Sequence, residues 1–161
     1  MSVENLLRQA AIEEHAARYA KCIDDDALEQ WPAFFAERCL YKVTTAANLR
    51  ENLPIGMMFG DSRAMLVDRV RALRQANIYE PQAYRHVLGR TLVLDAGRER
   101  ARTETPFLVV RIMQGGESML FASGRYLDRV TLPSDGGPML YEERIVACDS
   151  PFVDTLLAIP L

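Results

Sequence analysis

The stretch "TPFLVVRIMQGGESMLFASGRYLDRV", residues Thr105–Val130, sets the architecture of this chain. Apolar and polar side chains alternate along both of its halves, which is the period of a β-strand with one face in the core. Gly115 and Gly116, at its centre, supply the turn chemistry of a hairpin. The stretch therefore predicts two long antiparallel strands, and Gly124 within the second strand predicts a bulge or a bend.

The strand pattern extends on both sides of this hairpin. Four strand-like stretches follow one another, separated by glycine-containing turns: Ala83–Asp95, Arg100–Met113, Ser118–Leu132 and Met139–Asp149. Because short turns join neighbouring strands, residues 83–149 are predicted to form a four-strand antiparallel meander. Strands of this length twist as they pair, so we expect the sheet to be strongly curved.

The first part of the chain, residues 1–80, indicates mainly helix. A first helix is predicted from apolar residues that recur on one helical face: Ile12, Ala16, Tyr19 and Ile23. The acidic run Asp24–Asp26 ends that helix and can cap the next one. In the next segment, Trp31, Phe34 and Phe35 are spaced as a core-facing helical stripe.

A short strand and a further helix complete this part of the chain. Cys39–Thr45 is β-branched and aromatic, as expected of a strand, and a loop follows it. Asp61 or Ser62 can then cap a helix whose apolar face is formed by three residues: Leu66, Val70 and Leu73.

Helices followed by a long curved sheet predict an α+β domain with the helices packed on one sheet face. A sheet wrapped around helices in this way encloses a conical cavity, as in the ketosteroid-isomerase-like or nuclear-transport-factor-like cone. We find no interdomain linker, so residues 1–161 are predicted to form one domain with three parts: helices in 1–80, the meander in 83–149 and an apolar tail in 150–161. The final residues, "LLAIPL", are all apolar and are expected to dock in the chain's own core or against a neighbour.

Composition and charge exclude several classes of protein. Of 161 residues, 19 are Lys or Arg and 22 are Asp or Glu, which gives a net charge of −3. No basic excess is available to bind phosphates, so nucleic acid is not an expected partner. Charged residues interrupt the first residues, which therefore do not resemble a secretory signal, and no apolar run could span a bilayer. We therefore expect a cytoplasmic protein without membrane contact, with Cys22, Cys39 and Cys148 as reduced, mostly buried thiols.

His86 is the principal candidate for chemistry. Strand alternation places it on one face with Tyr84, Leu88, Leu92 and Leu94, and together with Tyr41 we take Tyr84 and His86 as candidates to line the cavity. A histidine there could be a general base if a carboxylate from Asp24–Asp26, or Tyr41, oriented it. The alternative is a buried structural histidine, which the sequence favours because no motif supplies a second catalytic group.

A metal site is not expected. A Rieske cluster requires two Cys and two His, commonly spaced C-x-H and C-x-x-H, and neither spacing occurs. A mononuclear iron site with two histidines would need both His15 and His86, the only two in the chain, and we expect His15 to be exposed on a helix edge. Residues alone thus leave His86 either as a buried structural histidine or as the base of a free-standing cone-fold isomerase or dehydratase with a small-molecule pocket around it.

Four stretches, taken together, resemble the small (β) subunits of aromatic-ring-hydroxylating dioxygenases over essentially the whole chain. They are "YAKCIDDDALEQWPAFF", "DSRAMLVDRVRALRQANIYEP" running into "YRHVLG", "TPFLVVRIMQGGESMLFASGRYLDRV" and "ERIVACDSPFVDTLLAIPL". Within the family, the chain is most similar to subunits for aromatic carboxylic acids. The terephthalate 1,2-dioxygenase type is nearest, with the salicylate hydroxylase and anthranilate dioxygenase types close to it.

This resemblance implies the cone fold and a structural role for the chain in aromatic catabolism. It implies a partner, a large α subunit, in a complex of three α and three β chains whose β chains form a trimer. In this family the α subunit carries the Rieske [2Fe-2S] cluster and the mononuclear Fe(II), and a reductase delivers electrons from NADH. The resemblance implies no catalytic, cofactor-binding or metal-binding residue in this chain, and it gives His86 a structural role.

Overall fold

The computed structural model describes residues 2–75, 79–151 and 157–161. Its helices and strands follow the chain in this order: α1 (Val3–Asp24), a 3-10 helix (Leu28–Phe34), β1 (Phe35–Thr45), α2 (Ala46–Arg50), β2 (Met58–Ser62), α3 (Arg63–Gln75), β3 (Gln82–Leu88), β4 (Leu92–Ala96), β5 (Arg100–Met113), β6 (Ser118–Thr131) and β7 (Tyr141–Cys148). The predicted helical part, residues 1–80, thus contains two strands: β1, which includes the predicted strand Cys39–Thr45, and β2, which was not predicted. None of the described helices has the length and apolarity needed to cross a lipid bilayer.

The sheet has seven strands in the order β2-β1-β7-β6-β5-β3, with β4 pairing β5 beside the end of β3. The antiparallel pairing of β3, β4, β5, β6 and β7 agrees with the predicted meander. The sheet is mixed, however, because β1 runs parallel to β7. Helices α1 and α3 pack against this curved sheet, so the predicted α+β cone is confirmed.

Capping residues fix where the helices begin. Ser2 accepts a hydrogen bond from the Asn5 amide at the start of α1, and Ser62 accepts one from Met65 at the start of α3. Each hydroxyl satisfies an amide that has no partner within its own helix. Ser62, one of the two predicted N-cap residues, is thus the residue that caps α3. The segment after α1 is a 3-10 helix rather than an α-helix, and Phe35 already belongs to β1.

One predicted strand, Ala83–Asp95, is two strands in the structure. Residues 89–91 interrupt it, and the pairing with β5 shows the consequence: Leu88 pairs with Phe107, whereas Leu92 pairs with Glu104. From the first pair to the second, the chain advances four residues on this side but only three in β5, which reverses the alternation. As a result Leu92 and Leu94, predicted to share the buried face of His86, are more than half exposed.

Of the predicted bulge or bend at Gly124, the structure shows no bulge. Gly124 pairs in regular register with Phe107 on one side and Cys148 on the other, and the irregularity between β5 and β6 lies between Val109 and Val110. Gly124 is instead a site of close backbone approach. A Cβ atom at this position would lie 2.1 Å from the Ala147 carbonyl oxygen.

The core lies between the helices and the concave face of the sheet. Apart from Arg144, its largest fully buried side chains are aromatic and include Trp31, Tyr19, Tyr41, Tyr126 and Tyr141. All three cysteines are buried free thiols, as predicted. Of the predicted apolar ending, residues 157–161 dock in this same core, while Leu156 lies outside the described residues.

Candidate functional site

His86 is held by the carboxylate at the end of α1. Its side chain is fully buried, and its Nδ1 lies 2.6 Å from Oδ1 of Asp24. The main-chain N–H of His86 also donates to Oδ2 of Asp24, at 2.9 Å. One carboxylate therefore joins the last turn of α1 to strand β3. Of the three acids considered as partners, Asp24 is the one in contact, whereas Asp26 binds Arg74.

The surroundings of the second ring nitrogen of His86, Nε2, bear on whether this side chain could act as a general base. Nε2 of His86 is shielded from solvent and has no hydrogen-bond partner among the described residues. A general base must reach the proton it removes, either directly or through one water molecule. The bonded Nδ1 and the enclosed Nε2 together favour a histidine that holds α1 against the sheet.

The three predicted cavity residues do not converge on one open site. Tyr84 lies beside His86, with ring centroids 6.2 Å apart, and stacks on Phe121. Tyr41 instead lies in β1, where its hydroxyl bonds Leu161. The interior around Tyr41 is thus occupied by the chain itself.

A hydrogen-bonded chain of aromatic side chains surrounds Leu161. Two hydroxyl groups donate to its main-chain oxygen, from Tyr19 at 2.8 Å and from Tyr41 at 3.1 Å. The Leu161 N–H donates in turn to the Tyr41 oxygen at 3.1 Å, and Trp31 Nε1 donates to Tyr19 at 3.0 Å. Burial raises the pKa of Tyr41 well above its usual range, so its hydroxyl remains a donor at neutral pH.

A buried ion pair that the sequence analysis missed lies beside this chain. Arg144 is fully buried and binds both oxygens of Asp128, at 2.9 and 2.7 Å. Its guanidinium also lies 4.0 to 4.1 Å from the ring centroids of three tyrosines: Tyr19, Tyr126 and Tyr141. Burial lowers the pKa of Arg144, but the charge and hydrogen bonds of Asp128 together with the neighbouring Tyr141 and Tyr19 outweigh this effect and raise the pKa well above its ordinary value. The alternation Tyr126–Asp128–Val130 could have indicated an inward-facing charge.

His15 is half-buried rather than exposed. Its ring packs on Phe34 and Tyr141, with centroids 5.4 and 4.6 Å away, and His15 is one of the residues that line a cleft of about 660 Å³. Burial and the charge of Arg144 lower its pKa to about 4, so the ring is neutral at pH 7. The prediction failed because a position at the edge of one helical face can still contact a neighbouring loop or strand.

The described residues do not fit an iron–sulfur cluster or a mononuclear iron. Within residues 2–75, 79–151 and 157–161, no three His, Cys, Asp or Glu side chains lie close enough together to hold a metal ion. The two histidines are also committed elsewhere, His86 to Asp24 and His15 to an aromatic environment. We therefore assign no step of metal chemistry to these residues.

The sequence matches known proteins over nearly its full length. A SnoaL-like domain matches residues 4–137. The chain is 46% identical over 156 residues to the terephthalate 1,2-dioxygenase terminal oxygenase component subunit beta 1 of Comamonas sp, covering 97% of this chain and 100% of that protein. The chain belongs to the family of beta subunits of aromatic-ring-hydroxylating dioxygenases.

Two further comparisons agree with membership of the beta-subunit family. The anthranilate 1,2-dioxygenase small subunit of Burkholderia cepacia is 37% identical over 144 residues, covering 89% of this chain and 88% of that protein. A crystal structure assigned to such a beta subunit, from Novosphingobium aromaticivorans, superposes with a TM-score of 0.88 at 36% identity, covering 98% and 99% of the two chains. These relatives support the subunit hypothesis over the free-standing isomerase or dehydratase.

More distant members of the same fold show how widely the cone is used. A chain of naphthalene 1,2-dioxygenase superposes with a TM-score of 0.74 at 16% identity, covering 100% of this chain and 95% of that one. At this identity the likeness shows the fold alone.

We expect Asp24→Asn and His86→Asn each to lower the free energy of unfolding by about 1–3 kcal/mol, because each breaks a buried hydrogen-bonded pair. Urea denaturation measures the change. The matched control is Asp25→Asn, an exposed neighbour of Asp24, which should stay within about 0.5 kcal/mol of the parent. A folded, assembled His86→Asn variant whose turnover had fallen a hundredfold would show that His86 takes part in chemistry.

Proposed function

We propose that this chain is the structural beta subunit of a cytoplasmic ring-hydroxylating dioxygenase, and that it carries no catalytic residue itself. The observation that carries the proposal is the 46% identity, along the full length of that relative, to a terephthalate 1,2-dioxygenase beta subunit. The substrate class that this relative suggests is an aromatic carboxylic acid. Residues 1–161 would form one domain of the complex.

The proposal places the redox cofactors in the partner. A large alpha subunit would hold the Rieske cluster and the mononuclear iron, and a reductase would supply electrons from NADH. In the described part of this chain, no His, Cys, Asp or Glu side chains group together to bind a metal ion, which is consistent with cofactors held by the partner. The beta chains are expected to form a trimer within a hexamer of three alpha and three beta chains, since closed cyclic symmetry satisfies each contact without open-ended growth.

One purification tests the whole proposal. A tagged copy of this chain, produced in its native host, should bring down a large subunit whose sequence contains C-x-H and C-x-x-H. The complex should contain iron, show Rieske absorbance and hydroxylate terephthalate or anthranilate when NADH and a reductase are present. Light scattering should give three copies of each chain.

The chain purified without its partner is the control. It should contain no stoichiometric iron by elemental analysis and should not hydroxylate either acid. One tightly bound iron per isolated chain, or hydroxylation by the chain alone, would contradict the assignment of the chemistry to the partner. A persistent monomer at high micromolar concentration would contradict independent trimerisation.

A further inference from the structure

The cleft of about 660 Å³ that His15 lines is formed by α1 and by two loops that join strands. One wall is a face of α1 that runs from Glu4 to Arg18. The other wall consists of Arg98, between β4 and β5, and of residues in the β6–β7 loop that include Leu132, Pro133 and Met139. All of its lining residues lie in α1 or in these loops, so the cleft shares none with the strands that form the interior of the cone.

The charged side chains of the cleft leave one positive charge uncompensated. Two of its three arginines are each paired with a glutamate one helical turn away: Arg8 with Glu4 at 3.2 Å, and Arg18 with Glu14 at 2.6 Å. The third, Arg98, is exposed and has no ion-pair partner among the described residues. The His15 ring adds no charge at pH 7, because burial lowers its pKa to about 4.

The surface between these charges is largely apolar. Hydrocarbon is contributed from both walls, by Ala11, Leu132, Pro133 and Met139. The α1 wall extends over about 21 Å, since fourteen residues separate Glu4 from Arg18 at about 1.5 Å each. A cleft of this volume, with an apolar lining and a few polar groups, is the usual form of a site for a small organic molecule.

We propose that this cleft binds elongated apolar carboxylic acids, with the carboxylate on Arg98 and the hydrocarbon body between α1 and the β6–β7 loop. The planar guanidinium offers two parallel N–H donors, which match the two oxygens of a carboxylate. One uncompensated positive charge matches a singly charged acid better than a phosphate, which carries nearly two negative charges. The site needs only residues of this chain, so the inference is independent of the proposed subunit function.

Calorimetric titration of the full chain with biphenyl-4-carboxylate tests the proposal. We expect saturable binding of one molecule per chain. Biphenyl-4-carboxamide has the same shape without the charge and should bind about fivefold more weakly, as expected for the loss of an ion pair with an exposed arginine. Added salt should weaken the binding of the acid and leave that of the amide almost unchanged.

Two pairs of variants test the charge and the space separately. Arg98→Ala should weaken the acid about fivefold and leave the amide unchanged, whereas Arg50→Ala, at an exposed arginine of α2, should change neither. Ala11→Phe places a ring in the cleft and should weaken both ligands about tenfold or more. Its control is Ala17→Phe, at an exposed position of the same helix that does not line this cleft. Circular dichroism checks that each variant is folded.

The two histidines of the chain locate the bound ligand independently of its affinity. His15 lines the cleft, whereas the side chain of His86 is enclosed beside Asp24. In NMR spectra, the ring signals of His15 should move as the acid is added and those of His86 should stay in place.

Four results would each overturn the proposal: no saturable binding of the acid, equal affinity for acid and amide, unchanged affinity in Arg98→Ala, or stationary His15 signals at saturation. Unchanged affinity in a folded Ala11→Phe variant would do the same. The other measurements decide the question even if Ala11→Phe does not fold.

Discussion

Replacing Asp128 by alanine should lower the free energy of unfolding by about 3–5 kcal/mol, because it leaves the buried guanidinium of Arg144 without its counter-charge. Arg144 cannot escape this cost by losing its proton, since arginine remains charged in proteins. The three tyrosine rings around it offer cation–π contact, but this contact is already present in the parent and does not offset the loss. A change of this size is a large fraction of the stability of an ordinary domain. Urea denaturation measures it.

Two controls separate the buried charge from other effects. Glu14→Ala breaks the exposed pair between Arg18 and Glu14 and should cost less than about 1 kcal/mol. The double variant Asp128→Leu with Arg144→Met removes both charges and should recover most of the loss, because no unpaired ion remains. If Asp128→Ala stayed within about 1 kcal/mol of the parent, the pair would not have the role that its geometry indicates.

Gly124→Ala should also be severely destabilising, by about 3 kcal/mol or more, because the added methyl group has nowhere to go. Its Cβ atom would lie 2.1 Å from the Ala147 oxygen and 3.0 Å from the Cys148 Cα atom. Both atoms belong to the backbone of β7, so relief requires the two strands to separate. Thermal unfolding of the purified variant gives the measurement.

Gly97→Ala is the matched control for this substitution. Gly97 lies in the turn between β4 and β5, and the nearest atom to an added Cβ would be 3.7 Å away, at ordinary contact distance. Its stability should therefore remain within about 1 kcal/mol of the parent. A Gly124→Ala variant as stable as Gly97→Ala would show that β6 and β7 can separate at little cost.

The features that could be predicted from the sequence are those in which neighbours in the chain are neighbours in space. The hairpin of β5 and β6 has alternating burial and a glycine turn, and α1 has an apolar face whose residues recur every three or four positions. The burial of the cysteines and the docking of the apolar ending also follow from local composition. The cone followed by analogy from the order of helices and curved sheet, and the family resemblance implied the same fold.

The features that could not be predicted depend on contacts between distant segments. The partner of His86 lies 62 residues away, at Asp24, and three acids in a row gave no way to choose among them. The alternation reverses after Leu88 because the register with β5 shifts at residues 89–91. The alternation of apolar residues in the sequence does not show this shift. The pairing of Arg144 with Asp128 joins two strands whose charges would usually face solvent.

The parallel pairing of β1 with β7 imposes an order on folding. Tyr41 and Arg144 are register partners although about one hundred residues separate them in the chain, whereas β5 and β6 are joined by a tight turn. Closing a long loop costs conformational entropy before its contacts are gained, so long-range strand pairs form slowly. On the ribosome, β1 can pair with β2 once both have been made, but its other edge must wait until β7 has been synthesised. The helices that pack on β1 would then protect its aromatic face during that interval.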